Sequence, residues 1–177
     1  MAEKRLYTDA KERREDMSVK ILEMKQESCP KARFIGKKYE HGANWGEWWE
    51  NNWFETLEAI QGLPINDNGY IGAVRIINGM PEYWIGMFFP ADTEVPEGFE
   101  YVDMEPLQYV VFYLHGNEKN GELYTMDTHA MCLEELKAHH LERKENDWCF
   151  ERYNCPRYTT PDENGNVILD YAVSIVG

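Results

Sequence analysis

At 177 residues the chain is long enough for one well-buried core, or for two small repeats sharing a core. Hydrophobic residues make up 43% and aromatics 14%, a globular composition that excludes disorder and supplies flat side chains for a dense core or an aromatic-lined pocket. The formal charge of −14 repels phosphate backbones, which argues against nucleic-acid binding through a basic face; it favours cationic ligands, or serves solubility alone.

Residues 1–17 read as a charged arm with too few apolar positions for a DNA-binding domain. Val19–Lys25 and Ala32–Glu40 are strand candidates separated by Ser28-Cys29-Pro30. Asn44 and Glu47 form an Asn-type capping box, opening a helix whose Trp45, Trp49, Trp53, Leu57 and Ile60 make one stripe, with Gly62 and Pro64 ending it. Tyr70–Ile77 and Tyr83–Phe89 are strands around an Asn78-Gly79 hairpin turn. The acidic segment from Pro90 to Gly98 joins two halves, at about 18–90 and 98–177.

The second half repeats the order. Phe99–Met104 and Leu107–Leu114 are strands broken at Glu105-Pro106, and a helix runs from about Glu122 to Arg143. Trp148–Tyr153 and Val167–Val176 then read as strands. Each half is a bent strand or strand pair, a helix and two strands, which predicts an α+β fold with an antiparallel sheet and helices packed on it. No apolar run is long enough to span a bilayer and the first twenty residues lack a signal pattern, so the expected home is the cytoplasm, with Cys29, Cys132, Cys149 and Cys155 as thiols.

Several segments, in order, carry a resemblance. These are Tyr70-Ile71-Gly72-Ala73, Tyr83-Trp84-Ile85-Gly86-Met87, the run from Tyr109 to Gly116, Phe150-Glu151-Arg152-Tyr153, and Ala172 to Val176. Their succession resembles the landmarks of GyrI-like domains, which also form the effector-binding domains of AraC-type and MerR-type multidrug regulators. The resemblance spans roughly residues 19–176. It implies a pseudo-twofold duplication of a strand-helix-strand-strand unit with a ligand cleft between the halves, and 18–177 as a single such domain. The family includes drug sensors, a DNA gyrase inhibitor and hydrolases of cyclopropane-bearing natural products. In the sensors a glutamate facing lipophilic cations maps onto Glu151. Unlike the regulators, this chain shows no DNA-binding domain, so a stand-alone member is expected.

Strand parity sends Cys149, Glu151 and Tyr153 to one face and Trp148, Phe150 and Arg152 to the other. A buried Glu151 would have a raised pKa and gain from a bound cation; in an enzyme it would act as general acid or base. The plain alternative is an exposed, salt-bridged glutamate. Tyr83 and Trp84 point to opposite faces, so at most one enters the cleft. Val110, Phe112 and Leu114 suit the face under the helices, which leaves Tyr109 and Tyr113 for the ligand. Trp45, Trp49 and Trp53 read as core, with Trp48 set aside as a ligand contact. Tyr153, Tyr83, Trp84, Tyr109, Tyr113 and Trp48 thus join Glu151 as candidate binding residues, the tyrosines and tryptophans having ordinary core or surface places as their plain alternative.

The histidines form no metal motif, and neither metal nor cofactor is expected. Nor is there a GxSxG nucleophile signature. The expected function is binding of lipophilic aromatic, cationic small molecules, with hydrolysis of a strained electrophile through Glu151 as one alternative. An acidic interaction protein inhibiting a topoisomerase is another. The expected partner is therefore a hydrophobic aromatic or cationic compound, with no direct nucleic-acid or membrane binding and room for a protein partner.

Overall fold

The computed structural model describes residues 18–60 and 69–177. The charged arm at 1–17, and Gly62 and Pro64 at the expected helix end, lie outside them. The described strands are β1 (Lys20–Cys29), β2 (Ala32–Tyr39), β3 (Tyr70–Ile77), β4 (Met80–Pro90), β5 (Glu100–Met104), β6 (Leu107–Asn117), β7 (Cys149–Tyr153) and β8 (Asn166–Ser174). They form one antiparallel sheet in the order β1-β6-β8-β7-β3-β4-β2-β5.

Read inward from either edge, the order is the same. A helix-bearing unit contributes β2, β4 and β3 on one side and β6, β8 and β7 on the other, and the two units meet where β3 pairs with β7. Each outermost strand comes from the other unit: β1 pairs with β6, and β5 with β2. The exchange happens at Pro30 and Pro106, just after β1 and β5. A proline has no N–H for the ladder, so the chain leaves one pairing and turns into the next. The expected hairpin turn is present, with Asn78 and Gly79 at φ 51° and 77°, the conformation that a two-residue turn between twisted strands requires.

The helices are shorter than the periodicity predicts. The first is two pieces, α1 (Trp45–Glu50) and α2 (Trp53–Glu58), because Asn52 sits in the left-handed region at φ 53°. Asn44 occupies the N-cap position, but its side chain makes no cap bond; the Glu47 carboxylate accepts from the Tyr39 hydroxyl instead. Within α1 Trp48 faces inward, fully buried with Phe54, Leu57, Met87 and Phe89. The second helix, α3 (Met126–Ala138), follows a 3-10 turn at Glu122–Tyr124 and is capped by Thr125, whose side chain accepts from the Thr128 N–H. It stops five residues before Arg143, because His140 adopts φ 58° and the Leu141 N–H closes onto the Leu136 carbonyl.

Both faces of the sheet are buried, for different reasons. On one face α1 and α2 cover Ile35, Ile85, Met87 and Phe89, while α3 covers Val110, Phe112, Leu114 and Leu169. On the other face no helix among the described residues contributes to the core cluster: the sheet curves and packs on itself. Phe34 on β2 meets Trp148 at the start of β7 with ring centroids 6.3 Å apart, and Phe88 on β4 meets Phe150 on β7 at 5.4 Å. Those pairs are separated in the sheet by intervening strands, so contact requires curvature. No helix among the described residues is long and apolar enough to cross a membrane.

An ionic network ties this second face together. The Arg152 guanidinium donates to Glu27 at 2.9 Å and to Asp170 at 3.2 Å, while Asn154 and Arg157 complete the shell around Asp170, at 2.9 and 2.6 Å. Burial opposes ionisation of Glu27, but the bonds and charge of Arg152 outweigh it and hold the carboxyl below its ordinary 4.5. Removing one member strands the others without compensation. Asp170→Ala is expected to destabilise the fold by roughly 3–5 kcal/mol in urea unfolding. The Glu27 contribution, from a depressed folded pKa, is present above the ordinary value and fades as pH falls through the lower folded one.

Candidate functional site

The helices leave the middle of the sheet open. With α1 and α2 over β2 and β4, and α3 over β6 and β8, strands β3 and β7 form the floor of a gap between them. The gap is a cavity of about 1130 Å³. Its floor carries Tyr70, Gly72 and Val74 from β3 and Cys149, Glu151 and Tyr153 from β7, which share a face because the register pairs Gly72 with Glu151, Tyr70 with Tyr153 and Val74 with Cys149. Trp45 and Trp49 of α1 form one wall; Tyr124, Met126 and His129 form the other. The exposed side chains of Trp49, Tyr124 and Met126 lie along the cavity, apolar surface that a folded chain ordinarily covers.

Glu151 lies deep in the fold but opens onto the cavity, so its surface is only half-covered while its surroundings are protein. Burial pushes its carboxyl above the ordinary 4.5, and the hydrogen bond it accepts from the Tyr153 hydroxyl only partly opposes this. Among the described residues no Lys, Arg or His forms an ion pair with it. Gly72 makes room beside it. A Cβ there would stand 3.0 Å from the Trp45 ring and 3.3 Å from Glu151 Oε2, so a side chain would crowd both. The aromatic rings around it are in mutual contact: Trp45 meets Tyr153 edge-on at 4.7 Å, and Tyr70 stacks on Phe54 at 3.6 Å while its hydroxyl donates to Glu58.

A second polar group lies further along the cavity. Arg143 Nη1 contacts His129 Nε2 at 3.2 Å, and His129 Nδ1 lies 2.7 Å from the Tyr171 hydroxyl. A guanidinium can only donate, so Nε2 must be the acceptor and Nδ1 carries the proton toward Tyr171. Burial, then the Arg143 charge, holds His129 below its ordinary 6.5 and keeps the ring neutral at pH 7.

The expected binding residues divide cleanly. Glu151, Tyr153 and Tyr83 lie on the cavity face, Tyr83 by its pairing with Val74. Trp84 borders the cavity, but its ring packs edge-on against Phe34 on the other face and its indole donates to Glu82. Tyr109 is fully buried on that other face, bonded to Glu27, and Tyr113 lies under the Arg157 guanidinium there. Neither reaches the cavity. The expectation treated the helix-covered face and the ligand-facing face as alternatives; they are one face, because the helices stand apart. Trp48 is core, whereas Trp45 and Trp49 line the cavity, since the break at Asn52 turns the predicted stripe. Tyr70 and Gly72 were reachable by extending the Glu151 parity across to a paired strand; Arg143 was not, since a turn after α3 delivers it.

No protein-family model and no curated protein matches the chain. Solved structures do. A Staphylococcus aureus MU50 protein named for bacterial transcription regulation superposes with TM-score 0.62 at 15% identity, over 88% of this chain and 99% of that one. SAV2435, solved bound to tetraphenylphosphonium, superposes with TM-score 0.61 at 12% identity, over 88% and 95%. EcmrR, solved in a DNA complex, superposes with TM-score 0.58 at 10% identity, over 97% of this chain and 62% of that one. At these identities the likeness is one of fold.

The raised pKa of Glu151 has a checkable consequence for the empty protein. A carboxyl with a folded pKa above its unfolded one adds a penalty that grows as pH rises from about 4.5. Glu151→Gln should therefore melt higher than wild type at pH 7.5, and the difference in Tm should shrink toward zero as pH approaches 4.5.

Proposed function

We propose that this chain is a GyrI-like ligand-binding domain whose cavity takes flat, lipophilic, cationic compounds against Glu151. The observation that carries this reading is a half-buried carboxylate with no cationic partner among the described residues, on the floor of an aromatic-walled cavity. Such a group carries a desolvation cost that a bound cation would offset, restoring the charged form. Trp45, Trp49 and Tyr153 would supply stacking and cation–π contact, about 0.5–2 kcal/mol each. The volume of about 1130 Å³ suits a drug-sized molecule. SAV2435, which shares the fold, was solved with a lipophilic aromatic cation, tetraphenylphosphonium, tetrahedral rather than flat. Sequestration, sensing or detoxification would each use such a site.

A second reading follows from the Tyr153–Glu151 pair. A carboxyl whose pKa is raised by burial is suited to donate its proton to the leaving atom of a strained electrophile as the ring bond breaks and water adds to the opened carbon, and to take back the proton that the added water loses. Hydrolysis of an activated cyclopropane, abolished in Glu151→Gln while binding of the substrate persists, would establish it; no turnover in wild type would remove it.

Fluorescence titration with a lipophilic cationic dye tests the first reading. Glu151→Gln should weaken the cation at least tenfold, about 1.4 kcal/mol, and leave a neutral analogue of the dye unchanged. Cation affinity in wild type should fall as pH drops through the raised Glu151 pKa, because the carboxylate is the form that binds. Affinity indifferent to both changes would remove the cation site.

A further inference from the structure

We propose that the cavity has a second, anion-accepting end at Arg143, which takes a carboxylate carried by a flat aromatic ligand. This rests on the cavity being a ligand site, but not on its preference for cations.

Arg143 is held firmly by its backbone. Its segment bridges to Ile175, and on either side the Val176 N–H donates to the Glu142 carbonyl and the Lys144 N–H to the Ser174 carbonyl, each at 2.9 Å. From there the side chain reaches the cavity wall. Nη1 donates to His129 Nε2, Nη2 approaches Cys149 Sγ at 3.8 Å, and the buried Nε has no hydrogen-bond partner. Both acceptors are neutral groups: the imidazole is held uncharged, and burial pushes the Cys149 thiol up so that it keeps its proton. A guanidinium, always charged, is thus left without a carboxylate among the described residues. Asp147, which also lines the cavity, accepts from the Trp148 N–H through Oδ1 at 2.9 Å and lies 2.8 Å from Lys144; its Oδ2 is buried without a hydrogen-bond partner, but it forms no ion pair with Arg143.

The other described arginines differ. Arg33, Arg75, Arg152 and Arg157 each pair with a carboxylate. Arg143, on the cavity, does not. A planar donor with spare N–H groups is the geometry that binds a carboxylate. Its contact Cys149 lies two residues from Glu151 on the same face of β7, roughly 7 Å along the strand. One ligand of two or three fused rings could therefore meet both ends, with a cationic group at Glu151 and an acidic group at Arg143.

The test uses 2-naphthoate, an aromatic acid with no cationic group, and 2-naphthamide as its neutral counterpart, titrated calorimetrically into the full chain. Wild type should bind naphthoate saturably and at least tenfold more tightly than the amide. Arg143→Gln should remove that preference, and Arg143→Lys, which keeps the charge without the planar fork, should keep only part of it. Equal affinity for acid and amide in wild type, or no saturable naphthoate binding, overturns the proposal; so does an acid preference that survives in a folded Arg143→Gln. Because naphthoate carries no positive charge, these outcomes are independent of whether Glu151→Gln abolishes binding of a cationic dye.

Discussion

The pairing of β3 with β7 is the constraint on which the rest depends. Its register, from Tyr70 opposite Tyr153 to Val74 opposite Cys149, sets two five-residue segments side by side at the centre of the sheet. Because side chains alternate, one register decision puts Glu151, Tyr153, Cys149, Tyr70 and Gly72 on one face and Phe150, Arg152, Ile71 and Ala73 on the other. A slip by one residue would carry Glu151 into the aromatic core and Phe150 into the cavity. The seam lies at the centre of the sheet with the helices covering strands to either side, so it becomes the floor of a gap.

The two faces treat charge in opposite ways. Behind the seam, Arg152, Glu27, Asp170, Asn154 and Arg157 satisfy one another, and the curved sheet closes over them with rings from Phe34, Phe88 and Phe150. In front of it, among the described residues, Glu151 has a tyrosine hydroxyl, and Arg143 an imidazole and a thiol, with no opposite charge paired to either. The chemical groups are the same; the difference is whether counter-charge is supplied by the chain. A closed network contributes to a single folded state, whereas an incomplete one raises the energy of the empty protein in a way that a ligand can relieve. That difference separates the cavity face from the structural one.

The break at Asn52 and the stop at His140 show how local geometry shapes the site. Left-handed residues at φ 53° and 58° end helical segments that periodicity alone would continue. The first separates α1, whose Trp48 is core and whose Trp45 and Trp49 line the cavity, from α2, which starts a new phase at Trp53. The second frees the chain after α3 to run beside Ile175, which brings Arg143 to the cavity.

Much of the fold is legible in the chain alone, because its signals are local. Alternation marks the strands, Asn78-Gly79 the hairpin, Pro30 and Pro106 the bends, and parity along β7 puts Glu151 and Tyr153 together on the face away from Phe150. Which face carries the cavity is not local. Val110, Phe112 and Leu114 are read correctly as the helix-covered side of β6, yet Tyr109 and Tyr113 turn out to face a core formed by the sheet's own curvature. Curvature and helix spacing arise from twist summed over eight strands and from packing between distant segments, and no window of residues encodes either. The sequence by itself therefore determined the element order and the parity of each strand. Only the tertiary structure decided that the helices stand apart, that Trp45 and Trp49 rather than Trp48 line the gap, and that Arg143 reaches it, because each depends on how separate elements pack.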